Sequence, residues 1–131
     1  MIQKEFLTNL LNENKEATII SSLGTISYDL DAIEHPHKIC VRGAMGSVMS
    51  IGLGYSMALP ERKVVVLIGD GAFLMKGMSL TTILKYNLSN LRIIIIDNGC
   101  HKSTGGQATN FNPIKNYISN IPNIEIWEDP S

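Results

Sequence analysis

The chain's 131 residues, 44% of them hydrophobic, suit one folded domain with a single core and leave little room for two. Lys and Arg total 11 against 12 Asp and Glu, so the formal charge is −1 with no basic stripe, which excludes an electrostatic nucleic-acid footprint. No apolar run approaches the roughly 20 residues of a bilayer span, the first residues lack a secretory layout, and Cys40 and Cys100 stand apart without metal-ligand spacing. The expectation is a single cytoplasmic domain over residues 1–131, with free thiols in a reducing compartment.

From the N-terminus, Ile2, Phe6, Leu7, Leu10 and Leu11 share one face and predict a helix over 2–15. The β-branched run at 17–20 predicts a strand ending in a turn at 21–24. Ser27 is placed to cap a helix over 27–33. A polar turn, with His35 and His37 around Pro36, precedes a short strand at 39–42.

Residues 46–59 read as a helix despite several glycines, each of which weakens a helix by up to ~1 kcal/mol. That composition makes sense where a helix must approach another backbone or a ligand closely. The β-branched runs at 63–68 and 91–96 lack the alternation of a half-exposed strand, as in parallel strands buried on both faces. Met78, Leu80, Ile83 and Leu84 predict a crossover helix over 78–87 between them. The class is therefore α/β, a parallel sheet flanked by helices. Beyond 104–106 there is room for a helix near 113–119 and a strand at 124–127, a short C-terminal end for such a fold.

Open sheets of this kind bind ligands at the carboxyl ends of their strands. The first buried run leads into Gly69-Asp70-Gly71, where glycines permit a tight turn and expose backbone N–H groups to an anion, and Asp70 offers a hard oxygen ligand. Taken alone, the tripeptide is also an ordinary strand-to-helix turn. The second run leads into Asp97-Asn98-Gly99-Cys100, and adjacent parallel strands would set Asn98 beside Asp70. A carboxylate, an amide oxygen and a backbone carbonyl, completed by phosphate oxygens and water, suit magnesium. His101 and Lys102, next to Ser103 and Thr104, form either a solvated loop or a contact for an anionic substrate group.

Gly69-Asp70-Gly71 followed by Asn98, with residues 72–97 between, resembles the thiamine-diphosphate motif. Adding 42–46 (Arg-Gly-Ala-Met-Gly), Leu74-Met75 and 103–107 (Ser-Thr-Gly-Gly-Gln), the chain is similar over residues 1–110 to the diphosphate-binding half of phosphonopyruvate decarboxylases and to sulfopyruvate decarboxylase β subunits. The resemblance implies thiamine diphosphate and Mg²⁺ as cofactors, with the metal held by Asp70, Asn98 and the Cys100 carbonyl. It assigns Gly69, Gly71 and Ala72 to the diphosphate, with Gly24, Thr25 and Ser27 as further contacts. The Gly43 carbonyl would accept the cofactor's 4′-amino group, and Met45 would wedge between its two rings; plain core packing is the other reading of Met45.

In that family the thiazolium ring attacks the 2-oxo carbon and takes up the electrons released with CO₂, after a Glu from a separate pyrimidine-binding domain has activated it. The resemblance therefore implies a heteromeric lyase, at least α₂β₂, whose α-type partner supplies that Glu and whose substrate is a small anionic 2-oxo acid. Simple pyruvate decarboxylases carry a Glu six residues beyond the metal-binding Asn, where this chain has Thr104, and residues 75–80 place glycine as indolepyruvate and pyruvate decarboxylases do. Two alternatives stand beside the decarboxylase: an acetolactate-synthase-like carboligase subunit, and a truncated regulatory or scaffold subunit.

Overall fold

The computed structural model describes residues 2–130. In chain order the elements are α1 (Ile2–Glu13), β1 (Thr18–Ser22), α2 (Thr25–Asp31), β2 (Lys38–Val41), α3 (Val48–Ala58), β3 (Val64–Gly69), α4 (Asp70–Met75), α5 (Leu80–Tyr86), β4 (Leu91–Asp97), α6 (Asn112–Ile118) and β5 (Ile124–Glu128). All four strand pairings are parallel, in the order β2-β1-β3-β4-β5.

The uninterrupted apolar runs follow from helices on both faces. Val64, Val66 and Ile68 of β3, with Ile93 and Ile95 of β4, meet Val48, Met49 and Leu53 of α3, Phe73 of α4, Ile83 of α5 and Ile118 of α6. The intervening Val65, Leu67, Ile94 and Ile96 meet Leu7, Leu10 and Leu11 of α1 and Ile26 and Leu30 of α2. Each such side chain taken fully from water contributes roughly 1.5–3 kcal/mol before entropy is counted, so β3 and β4 anchor both layers.

One glycine of α3 has the predicted role. A Cβ on Gly52 would lie 2.3 Å from Val66 Cγ2, so its absence lets α3 settle onto the sheet. Gly54, by contrast, faces open space.

Two local expectations are corrected, and one helix has shifted bounds. Ser27 does not cap α2: Gly24 stands at the N-cap, and the Ser27 hydroxyl donates to the Gly24 carbonyl at 2.8 Å from inside the helix. The crossover helix expected over 78–87 is α5, which runs from Leu80 to Tyr86 and is entered through a 3₁₀ turn at Gly77–Ser79, after α4 ends where Lys76 leaves helical geometry at φ −131°. Finally, Gly69-Asp70-Gly71 makes no tight turn, since β3 ends at Gly69 with extended backbone and α4 begins at Asp70.

Among the described residues, no helix is long and apolar enough to cross a membrane.

Candidate functional site

The strand order reverses direction around β1: one connection runs outward to β2, and the next returns through α3 to β3. The carboxyl ends of β1 and β3 therefore lead into connections that diverge, leaving a crevice between them. A cleft of about 580 Å³ lies there. It is lined by the segments that follow β1 (Ser22 to Ile26), β2 (Gly43 to Gly46), β3 (Gly69 to Ala72) and β4 (Asn98, Cys100, His101 and Lys102).

Nearly all of the candidate residues named from the sequence meet in this one place. Gly24, Thr25, Gly43, Met45, Gly69, Asp70, Gly71, Ala72, Asn98, Cys100, His101 and Lys102 all line the cleft. Ser27 does not; it is buried, with its hydroxyl turned to Gly24. Thr104 and Gln3 line the cleft as well, and Gln3 Nε2 donates to Asp29 Oδ2 at 2.7 Å.

Asp70 is only 1% exposed yet lines the cleft, so its carboxylate is mostly desolvated. Pairing of Gly69 with Ile96 across β3 and β4 puts Asp70 and Asn98 just beyond the ends of neighbouring strands. The Asn98 side-chain oxygen accepts the Cys100 N–H at 3.0 Å, and Asp97 Oδ1 accepts the Gly99 N–H at 3.1 Å. These two bonds curl the chain beyond β4 into a turn, with Gly99 at φ +77°. The Cys100 carbonyl takes no hydrogen bond among the described residues.

This turn is fastened from behind. Asp97, 7% exposed, receives Lys115 of α6, with Nζ 2.5 Å from Oδ2, and the same ammonium lies 3.0 Å from Glu128 Oε1. Hydrogen bonds to Asp97 first, and to Glu128 second, raise the Lys115 pKa above its ordinary value. From Gly99 the chain doubles back: Thr109 N–H donates to Gly99 O at 3.0 Å and His101 N–H to Gln107 O at 2.8 Å. The Thr109 hydroxyl donates to Asp70 Oδ2 at 2.5 Å.

The loop after β2 is bent by left-handed residues: Gly43 at φ +75°, Ala44 at +45° and Gly46 at +88°. Ala44 adopts a conformation that costs an L residue roughly 1–2 kcal/mol. The effect is to lift Met45, 46% exposed, onto the cleft wall, which is not where plain core packing would put it. A Cβ on Gly46 would strike the Ala72 carbonyl at 2.5 Å, so this loop sits directly against the start of α4. Gly71 serves a different end than a turn: a Cβ there would meet the His101 ring at 2.6 Å, so its absence lets that ring lie against the start of α4. Lys102 reaches 3.7 Å from Asp129, so its charge is shared with the segment after β5.

Three observations bear on what the cleft can hold. The Gly71 and Ala72 N–H groups fall in the first turn of α4, where no intrahelical acceptor exists. The Ser22 hydroxyl lines the cleft, buried, with no hydrogen-bond partner among the described residues. And no three His, Cys, Asp or Glu side chains gather into a metal cluster among those residues. A cation here would be held by oxygen donors of mixed kind, one carboxylate, one amide and one carbonyl, together with oxygens of a ligand, which is the pattern magnesium accepts.

Thr109 and Lys115 carry no signal in the sequence, and Asp97, legible only as part of the strand-end segment, is tied to Lys115. Thr109 follows a glycine-rich stretch with no periodicity, and only the fold-back of that stretch brings it to Asp70.

Comparison with known proteins places the chain in a family. Residues 23–126 match the family described as "Thiamine pyrophosphate enzyme, C-terminal TPP binding domain". A phosphonopyruvate decarboxylase of Streptomyces viridochromogenes is 40% identical over 99 residues, which cover 72% of this chain and 24% of the relative. The sulfopyruvate decarboxylase subunit beta of Methanothermobacter thermautotrophicus is 39% identical over 106 residues, covering 80% of this chain and 55% of the relative. The chain thus spans about a quarter of the former and about half of the latter. A solved 2-oxoglutarate:ferredoxin oxidoreductase from Magnetococcus marinus has the same fold, with a TM-score of 0.65 over 82% of this chain and 37% of that one at 23% identity.

Proposed function

Since this chain belongs to the thiamine pyrophosphate enzymes, as their C-terminal TPP-binding domain, we propose that it is the diphosphate- and magnesium-binding subunit of a 2-oxo acid decarboxylase. The observation that carries this reading is the placement of buried Asp70 and of Asn98 beyond the ends of adjacent strands, on one cleft with Gly43 and Met45.

The residues present fit the cofactor. Asp70, the Asn98 side-chain oxygen and the Cys100 carbonyl would hold Mg²⁺, and Gly69, Gly71, Ala72 and the loop at Gly24 and Thr25 would receive the diphosphate, with Ser22 gaining the partner it lacks. Gly43 would accept the pyrimidine amino group on its carbonyl, and Met45 would hold the two rings at an angle. Ser27 supports this only through Gly24. Thiamine diphosphate, when bound, supplies the carbon nucleophile and electron sink that decarboxylation needs. His101, seated over Gly71, and Lys102 would face the anionic end of the substrate.

The substrate class we favour is phosphonopyruvate or sulfopyruvate, following the names of the relatives that are about 40% identical. A pyrimidine-binding partner subunit would complete the site and contribute the activating Glu, a reading supported by two sulfopyruvate decarboxylase relatives that are named as beta subunits. We place the assembly in the cytoplasm, as α₂β₂ or larger.

The deciding experiment measures CO₂ release by the chain, alone and co-expressed with a candidate partner, with thiamine diphosphate, Mg²⁺ and phosphonopyruvate, sulfopyruvate or pyruvate. Activity confined to the mixture supports the split-site decarboxylase and identifies its substrate. Asp70→Ala should abolish Mg²⁺-dependent cofactor binding; normal binding by that variant sinks the metal assignment. Silence with every substrate from a stable, cofactor-loaded complex turns the reading to carboligation or to a regulatory subunit.

A further inference from the structure

Two halves of the candidate metal site come from distant parts of the chain. Asp70 opens α4, whereas Asn98 and Cys100 lie on the turn after β4. Thr109 touches both. Its hydroxyl donates to Asp70 Oδ2 at 2.5 Å, and its N–H donates to the Gly99 carbonyl at 3.0 Å, one residue from Cys100. Its methyl group lies 3.4 Å from where a Cβ of Gly71 would stand. Thr109 is 7% exposed and Asp70 1%, so water does not compete for the hydroxyl contact. Two residues on, Phe111 is fully buried edge-to-face against Phe73 of α4, with ring centroids 5.9 Å apart, which anchors this segment beneath the helix that carries Asp70.

We propose that Thr109 is a positioning residue for magnesium, holding the Asp70 carboxylate with one oxygen occupied and one turned to the cleft while its backbone clamps the loop that carries the Cys100 carbonyl. The inference rests on the metal assignment given above. A carboxylate bound through one oxygen is free to rotate unless the other oxygen is fixed, and partners that fix metal ligands in this way typically matter 10–100-fold in metal affinity. Threonine suits the place because hydroxyl, methyl and N–H each have a separate contact. Valine keeps shape and N–H and loses only the hydroxyl; serine keeps the hydroxyl.

The test is a titration of the full chain, alone and with its partner, with Mg²⁺ at saturating thiamine diphosphate, followed by calorimetry. Thr109→Val should raise the Mg²⁺ concentration for half-saturation by about 10–100-fold, while Thr109→Ser stays close to wild type. Rescue by serine, which restores the hydroxyl but not the methyl contact, is an outcome that a general packing role would not produce. If Thr109→Val does not fold, Thr109→Ala removes the hydroxyl without a new methyl contact and must show the same weakening. Unchanged or tighter Mg²⁺ binding by a folded, hydroxyl-free variant overturns the inference and leaves the metal site standing. Absence of Mg²⁺-dependent cofactor binding in the wild type, with and without partner, overturns the metal assignment and this inference with it.

Discussion

Lys115 Nζ stands 2.5 Å from Asp97 Oδ2 and 3.0 Å from Glu128 Oε1, so a single ammonium on α6 ties the last residue of β4 to the last residue of β5. Asp97 is nearly buried, whereas Glu128 is mostly exposed, and the two contacts differ in weight accordingly. Lys115→Met would leave the Asp97 carboxylate desolvated with only the Gly99 N–H to satisfy it. The expected cost is about 1–3 kcal/mol, the penalty of a buried polar group losing its partner. Glu128→Gln should cost under about 1 kcal/mol. Urea denaturation of the two variants checks both values, and the order matters more than either magnitude.

Gly52 predicts an overpacking cost with a specific remedy. A methyl at this position would lie 2.3 Å from Val66 Cγ2, so Gly52→Ala should destabilise by about 1–3 kcal/mol despite alanine's better helix propensity. Val66→Ala in the same chain removes the clashing methyls, and the pair should be less destabilising than the sum of the single changes. Gly54→Ala, facing open space on the same helix, should instead stabilise by up to about 1 kcal/mol. Thermal melts of the four variants separate these outcomes.

Trp127 is the chain's sole tryptophan and stacks on Phe6 with ring centroids 4.4 Å apart and planes at 16°. Its emission therefore reports the docking of α1 on β5. Phe6→Ala should shift that emission to the red by opening one face of the indole to water, and lower stability by about 1–3 kcal/mol, less than for a fully buried ring. Unchanged emission would contradict the stack.

The pH dependence can be signed at two pairs. Arg92 hydrogen-bonds and pairs with Glu125, which lowers the Glu125 pKa and raises that of Arg92. A depressed carboxylate stabilises the fold fully above its ordinary pKa, and the contribution fades as pH falls through the lowered folded value. With side chains 39% and 50% exposed, this pair is worth at most about 1 kcal/mol. Lys115, raised chiefly by Asp97, stabilises fully below its ordinary pKa and loses that contribution as pH rises through the raised value. Arg92→Met should accordingly reduce the loss of stability on acidification below about pH 4, and Lys115→Met should flatten the alkaline limb. Urea midpoints across pH, with and without each substitution, measure this.

How far the sequence could be read depended on the range of the interactions involved. The strands at 64–69 and 91–97 were legible because burial on both faces leaves them no polar alternation. The cleft residues were legible because their chemistry is carried by the residue type itself: an Asp, an Asn, a run of glycines at a strand end. Gly71 was recognised for a plausible but incomplete reason, because the His101 ring that excludes a Cβ arrives from a loop thirty positions away. The 3₁₀ turn at Gly77–Ser79 was hidden because Met78 fits the same apolar spacing as the helix that starts two residues later. Thr109 and Lys115 were hidden altogether, since nothing near either of them in sequence announces the carboxylate it will meet.

The reversal of strand order around β1 has a consequence for how the molecule could be handled by a cell. The cleft takes one wall from residues up to Val48 and the other from residues after 68, joined through α3. Each half of the chain carries only one wall of it, so an occupied cleft requires that β1 to β4 have come together. A ligand held there draws the folding equilibrium of both halves together by mass action. Cofactor supply would then act as a quality filter, with unloaded chains opening, and being degraded, sooner than loaded ones.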